Sequence, residues 1–255
     1  ISNGIEADFE GSLLEPYRIL RTLNPSPYMF YSNFENAEIA AASPETMVSL
    51  KNGELTNYAL AGSVRRGKTQ EEDEELTAAL LKDEKELSEH NMLVDLGRND
   101  LGKISEFGSV KVSQYLKILK FSHICHIASV IKGKIKPQYD QFDAIAAVLP
   151  AGTLSGAPKI RACEIINSLE KHKRGTYGGA AGYIDFTGNM DMCIAIRMAK
   201  RQNGKVYIQA GAGIVADSDP KKEFQECLNK AQAVLIALKE AENDFDNRSL
   251  RQFFL

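Results

Sequence analysis

The chain has 255 residues, of which 44% are hydrophobic and 25% charged, and its formal net charge is -3. That is enough chain for one large core or two small ones. The charge balance argues against nucleic-acid binding, which calls for a basic patch or stripe. The longest apolar run, AVLIAL from residue 233, is too short to span a bilayer. No secretory signal opens the sequence. Cys125, Cys163, Cys193 and Cys227 form no C-x-x-C pair and match no zinc spacing. They read as buried, reduced thiols of a cytoplasmic protein. The first residues, ISNGIEADFEG, lack an initiator Met and resemble the end of a strand. A fragment of a longer protein is therefore expected.

Residues 11–24 predict an amphipathic helix, with Leu13, Tyr17, Leu20 and Leu23 at helical spacing. The two prolines of NPSPYMFYSN bar a helix, and the aromatic run after them suits a strand. Strands are expected to continue through AEIAAAS, ETMVSL and TNYALAGSV, with a turn at Asn52-Gly53. An acidic, polar stretch over 70–83 leads into a long helix containing DEKELSEHNMLVDLGRND, and Gly102 and Gly108 punctuate the passage from that helix to the next strands. VKVSQYLKIL and FSHICHIASVIKGKI alternate like strands. Helices are expected around 141–148 and 157–171, then strands in YGGAAGYIDF, MDMCIAIRMAK and KVYIQAGAGIVA. Asp219-Pro220 opens the last helix as a cap followed by proline at the first helical position. Strands and helices cluster without strict alternation, which predicts an α+β fold with mainly antiparallel sheets and surrounding helices.

Several stretches could carry chemistry. In PAGTLSGAPKIRACEI the glycines and Lys159 miss the phosphate-loop spacing, so a nucleotide site fails. What remains is a loop with Thr153 and Ser155 that either receives an anion at a helix start or simply caps that helix with Ser155. Glu86 and Glu89 share one helix face, and Glu223 and Glu226 repeat the spacing on another. Two such pairs could hold Mg²⁺ through carboxylate oxygens, or they could be solvated acidic faces. A di-iron site is disfavoured, since neither pair is Glu-x-x-His. In MDMCIAIRMAK, small residues beside Arg197 leave room for a carboxylate or for a structural ion pair. Gly211 and Gly213 in QAGAGIV allow either a close ligand approach or a bulge. His126 and Cys125 are strand neighbours on opposite faces, so they form no catalytic pair.

The order of these stretches carries further meaning. NPSPYMFY, SPE, LAGSVRRG, SEHNMLVDLGRNDLGKI, PAGTLSGAPKIRACEII, RGTYGGAAGYIDF, MDMCIAIRMA and YIQAGAGIVADSDPKKEFQECLNKA together resemble the chorismate-binding family of anthranilate synthase component I, from about residue 5 to residue 240. The resemblance implies one chorismate-binding catalytic domain over 1–255, a C-terminal fragment without its N-terminal segment. It implies Mg²⁺-dependent conversion of chorismate and ammonia to anthranilate and pyruvate. It also implies a glutamine amidotransferase subunit as ammonia source. Glu89, Glu226 and Glu223 then match metal-binding positions. Gly62, Ser63, Thr153, Tyr177, Arg197, Gly211, Ala212, Gly213 and Lys230 match substrate contacts. Glu45, as the acid that assists departure of the ring hydroxyl, His126 and Glu86 match catalytic positions. Pro27, Tyr28 and Met29, within NPSPYM, match part of a tryptophan feedback site of the full-length protein. The four acids are expected to gather opposite the Arg197 guanidinium.

Sister activities stay open. Enzymes that make aminodeoxychorismate carry a nucleophilic lysine where Ala61 stands, and isochorismate synthases activate water with a lysine whose matching position falls just before Ile1. Ser63 replaces the family's usual threonine, and VRR its usual R-P-R. A non-catalytic fragment that only binds a ligand is the alternative from another class.

Overall fold

The computed structural model describes residues 1–120 and 124–243, together with the backbone of 253 and 254. The start of the expected strand at Phe121–His123 lies outside the described residues. The chain forms two compact units. One comprises Ile1–Pro44, Leu154–Ala181 and the chain from Cys193 onward; the other comprises Glu45–Thr153 and Gly182–Met192. Among the described residues no helix is long and apolar enough to cross a membrane.

The first unit is built on β1 (Ser2–Asp8), β2 (Tyr28–Phe34), β3 (Ala37–Ser43), β10 (Met198–Gln202), β11 (Lys205–Gly211) and β12 (Phe253–Phe254), in the order β12-β1-β11-β10-β3-β2. Every pairing in it is antiparallel. One face carries Ala40, Ala42, Ala199, Val206, Ile208 and Ala210, and against it pack α1 (Leu14–Leu23) and α7 (Pro220–Asn243). Helix α7 buries Cys227, Ala231, Val234 and Leu238 at intervals of three or four residues, and its alanines let the helix lie close. Asp219 caps it as expected, accepting from the Lys221 and Lys222 amides at 2.9 and 3.0 Å.

The second unit contains β4 (Thr46–Lys51), β5 (Glu54–Arg65), β6 (Lys111–Lys120) and β7 (Ile124–Lys134). The turn at Asn52-Gly53 has φ of 51° and 81°, the left-handed pair that a two-residue hairpin needs. This sheet runs β6-β7-β5-β4-β9-β8, where β8 is Ala180–Ile184 and β9 is Met190–Ile194. Helix α3 (Glu84–Ile104) lies on β5 and β7. It comes so close that a Cβ at Gly97 would stand 2.4 Å from Asn57 Oδ1. Helix α4 (Gln141–Val148) packs beside α3 and starts with a capping box made by Asp140 and Asp143.

Several expectations need correction. The acidic stretch after residue 69 is itself a helix, α2 (Gln70–Leu80). Its buried face is only Asp73, Thr77 and Leu80, too polar to show as an apolar stripe, but Thr69 caps it and its acidic first turn suits the helix dipole. Helix α3 runs through Gly102 to Ile104. Ser155 does not cap the helix after it: it ends a single turn, α5 (Gly152–Ser155), and α6 (Lys159–Leu169) begins behind Pro158. MDMCIAIRMAK is two strands in two different sheets. The Ala195 amide bonds to the Gly179 carbonyl, and Arg197 has φ 52°, so the pleat ends there and the expected alternation of faces does not cross the break. Gly213 lies beyond the end of β11. Of the cysteines, Cys125, Cys193 and Cys227 are buried as expected, whereas Cys163 is partly exposed.

The start of α2 is tied down by a charge cluster. Buried Asp73 accepts from Arg66 Nε, from the Gly67 amide at 2.5 Å, and lies 3.6 Å from Lys120 Nζ. The Arg66 hydrogen bonds first, and the Gly67 amide next, hold the Asp73 carboxyl down at about 2. A carboxyl with a folded pKa below its unfolded value stabilises the fold above about pH 4 and loses that contribution as pH falls towards about 2. Asp73→Asn is therefore expected to lower the urea midpoint at pH 6, with the difference from wild type vanishing as pH falls through this window. Circular dichroism at a series of pH values checks this; a gap that does not change with pH would refute it.

Candidate functional site

In the second unit the chemistry converges on a bulge. The register between β5 and β7 slips between Ala61 and Ser63. Gly62 fills the slip with φ 73°, a region that side chains with a Cβ rarely adopt. A Cβ there would also stand 3.0 Å from Ile127 Cδ1 and 3.2 Å from Glu86 Oε2. Glu86 reaches this point because Asp83 caps α3 and places Glu86 in its first turn. Beyond the bulge Ser63 pairs with His126, whose Nδ1 lies 3.2 Å from the Gly62 carbonyl oxygen. That carbonyl accepts the Nδ1 proton and leaves Nε2 as the basic ring nitrogen. The structure thus brings together Gly62, Ser63, Glu86 and His126. Glu89 follows on the same face of α3. Glu45 is buried just ahead of β4. Thr153 is exposed on α5, behind Gly152, which is pressed on Leu96 of α3.

In the first unit a second group forms where β11 ends and α7 begins. A Cβ at Gly211 would stand 2.8 Å from the Ile1 carbonyl oxygen and 3.1 Å from the Tyr177 hydroxyl. The Ala212 amide bonds to the same Ile1 carbonyl at 3.0 Å. Lys230 Nζ donates to the Gly211 carbonyl at 3.0 Å and meets Glu226 Oε1 at 2.5 Å. Arg197 Nη1 donates to the Lys230 carbonyl at 3.2 Å. Tyr177, Arg197, Gly211, Ala212, Lys230 and Glu226 therefore stand together. Glu223 lies one turn earlier on α7 and is buried; Gly213 is exposed just past the strand. Pro27 is exposed, Tyr28 opens β2, and Met29 packs into the core beneath the sheet.

The sequence reading missed the residues that hold this second group. The Glu170 carboxylate accepts from the Ser2 amide and hydroxyl, both at 2.8 Å, and from Arg174 Nη2 at 2.6 Å. Burial pushes this carboxyl up, but the Arg174 and Ser2 hydrogen bonds outweigh it and hold it below the usual range. Arg174 also donates to the Leu154 carbonyl at 2.6 Å and lies 5.8 Å from the Tyr177 ring centre. The four-residue interval between Glu170 and Arg174 was the available signal, obscured by the lysines and histidine between them. Burial raises the Tyr177 phenol to about 12, so it is a hydrogen-bond donor at any working pH.

Among the described residues, no group of three or more His, Cys, Asp or Glu side chains is placed to hold a metal ion. The carboxylate pairs nevertheless fit a hard divalent cation in donor type, since Mg²⁺ commonly takes one or two carboxylates and fills its shell with water.

Residues 1–236 match the family model for chorismate binding enzymes, and the chain belongs to that family. It is 54% identical over 225 residues to anthranilate synthase component 1 of Acetivibrio thermocellus, an alignment covering 88% of this chain and 46% of that protein. The crystal structure of anthranilate synthase component I from Streptococcus pneumoniae TIGR4 shares 48% identity at a TM-score of 0.85, over 92% of this chain and 52% of the other. The menaquinone-specific isochorismate synthase from Escherichia coli shares 26% identity at a TM-score of 0.81, over 93% of this chain and 56% of that one. The chain spans about half the length of the curated relatives it matches.

The bulge gives a test of this geometry. Gly62→Ala places a Cβ against Ile127 and Glu86 in a left-handed backbone, a cost on the order of 1–3 kcal/mol. Scanning calorimetry should show a midpoint lower by about 2–4 °C for each kcal/mol, and the His126 imidazole resonances should shift. An unchanged midpoint with unshifted His126 resonances would show that residue 62 tolerates a side chain.

Proposed function

We propose that the chain is the chorismate-binding catalytic part of an anthranilate synthase component 1, converting chorismate and ammonia to anthranilate and pyruvate with Mg²⁺. The observation that carries this reading is the identity of about half, across nearly the whole chain, to proteins named anthranilate synthase component 1. The assembled groups around Gly62 and Gly211 support it. The 26% likeness to an isochorismate synthase marks the shared fold and the runner-up activity.

The residues then take these roles. Arg197 and the neutral Tyr177 hydroxyl bind one substrate carboxylate, together with backbone N–H groups at Gly211, Ala212 and Gly213. Lys230, held between Glu226 and the Gly211 carbonyl, adds positive charge beside them. Gly62, Ser63 and Thr153 orient the rest of the ring. Glu89, Glu226 and Glu223 would hold Mg²⁺, with Glu86 as an acidic neighbour. The cation, when bound, neutralises a carboxylate and draws electron density from the diene. Ammonia adds at C2 as the C4 hydroxyl leaves, and buried Glu45 supplies the proton that makes it a competent leaving group. Loss of pyruvate and of the C2 proton then restores aromaticity, and His126 Nε2 is the group assigned to that proton. A glutamine amidotransferase subunit would supply the ammonia. The segment Asn24–Met29 would serve tryptophan feedback in the longer protein.

Incubation with chorismate, ammonium and Mg²⁺ should give the fluorescence of anthranilate. Glu226→Gln should weaken the Mg²⁺ dependence by at least about tenfold, the loss of one charge-assisted contact, with little change in the thermal midpoint. Conversion to a non-fluorescent product would favour the isochorismate or aminodeoxychorismate reading. A binding isotherm for chorismate without turnover would favour a fragment that only binds.

A further inference from the structure

One ion pair has no part in the function above, and its placement runs against local preference. Glu170 follows the last residue of α6, where the carbonyl end of a helix favours a cation and disfavours a carboxylate. No basic residue in that last turn offsets it. The chain has left the helix before Arg174, so the four-residue interval between the two is bridged by a turn and owes nothing to helix geometry. Both side chains are largely buried nonetheless, and burying such a pair yields little net stability. Where a residue stands against its local preference, the reason lies in its distant contacts.

The contacts of this pair run along two routes that meet at Gly211. On one side the Glu170 carboxylate accepts from the Ser2 amide and hydroxyl, and Ser2 is the ladder partner of Gly211. The Ser2 hydroxyl accepts in turn from Gln209 Nε2 at 2.8 Å, on the strand that ends at Gly211. On the other side the carboxylate accepts from Arg174 Nε and Nη2 at 2.9 and 2.6 Å, a two-point contact that fixes the guanidinium plane. Nη1 donates to the Leu154 carbonyl at 2.6 Å, so the fork is bound on both edges, and its carbon lies 5.8 Å from the Tyr177 ring centre. The Tyr177 amide donates to the Arg174 carbonyl at 3.0 Å and closes the turn. Tyr177 belongs to no helix or strand, yet its hydroxyl stands where a side chain at Gly211 would begin: a Cβ there would be 3.1 Å from it and 3.2 Å from Ser2 Cβ. We propose that Glu170 and Arg174 are positioning residues: through Ser2 on one side and the Tyr177 ring on the other, they set the Tyr177 hydroxyl against the Gly211 backbone and so shape the seat of a substrate carboxylate. The inference rests on the reading that Tyr177 and Gly211 bind that carboxylate, but its first readout does not.

The test separates the pair's hold on Tyr177 from its effect on stability. In protein labelled with ¹³C at tyrosine Cζ, Tyr177→Phe assigns the Tyr177 signal, which reports the surroundings of that hydroxyl with no ligand present. Glu170→Gln keeps the side chain's shape and loses its charge, and Arg174→Lys keeps the charge and loses the fork. In both, the Tyr177 signal should move while the other tyrosine signals stay. Ser2→Ala removes one hydrogen bond to the carboxylate, and this milder change should move the same signal even if both pair variants fold poorly. Calorimetry with chorismate and Mg²⁺ gives the second readout. Glu170→Gln and Arg174→Lys should each weaken binding roughly five- to tenfold, the range of one hydrogen bond. Added to Tyr177→Phe, either should cost at most about twofold more, because residues that act through one another are not additive. A Tyr177 signal unmoved in every folded variant, or the full loss repeated on the Tyr177→Phe protein, would overturn the proposal. Absence of chorismate binding in every protein, wild type included, with the signal shifts as expected, counts against the substrate reading and leaves the placement of Tyr177 to this pair.

Discussion

A side chain at residue 62 would be strained in its backbone and crowded by Ile127 and Glu86, and much of the second unit's site depends on that. A strand without a bulge would continue the β5–β7 ladder in register, and every residue beyond Ala61 would present its other face. The slip at Gly62 makes Ser63 the partner of His126. It turns the Gly62 carbonyl to His126 Nδ1 and opens the space that Glu86 enters from α3. One left-handed residue thus brings a strand hydroxyl, an imidazole and a carboxylate from three separate elements to one point. Strain of this kind persists only where the surroundings over-determine it. Here Ile127 on one side and the capped start of α3 on the other do so.

The first unit reaches a comparable result with charge. Glu170 and Arg174 form an ion pair whose side chains are 6% and 19% exposed. Such pairs contribute little net stability by themselves, because desolvation offsets attraction. Their effect here is geometric. The pair fastens the second residue of the chain, the Leu154 carbonyl and the Tyr177 ring to one another. Next to it Arg197 adopts a left-handed backbone that an arginine does not favour, held by the bond from the Ala42 amide to its carbonyl and by its own bond to Lys230. Leaving one strand for another at that residue is what frees the guanidinium from the pleat.

How much of this was legible beforehand depended on the range of the interaction. Asn52-Gly53 and Asp219-Pro220 act through their own backbones, and the turn and the cap were both readable. The family, too, was readable, because its motifs are long and occur in a set order. Helix α2 was not, since its stability comes from Thr69, the acidic first turn and the Asp73 cluster, and no apolar stripe marks it. The break at Arg197 was hidden because MDMCIAIRMAK alternates well enough for one strand, and the hydrogen bond that ends the pleat runs from the Ala195 amide to the distant Gly179 carbonyl. His90 offered no local signal: its partner Ser129 is 39 residues downstream in the sequence. A polar residue's function is visible in sequence only when its partners are near in sequence.

The same bulge bears on what separates the activities that share this fold. Ala61 is nearly buried and carries no nucleophile, at the position where the resemblance places a reactive lysine in the aminodeoxychorismate enzymes. With only a methyl group there, residue 61 brings no reactive side chain to the bulge. A lysine side chain would emerge from the same bulge, so its aim would depend on the geometry that here places Gly62 and Ser63. Sister chemistries could then diverge by changing one side chain at a single kink in the backbone, with the sheet, the helix and the carboxylates left as they are.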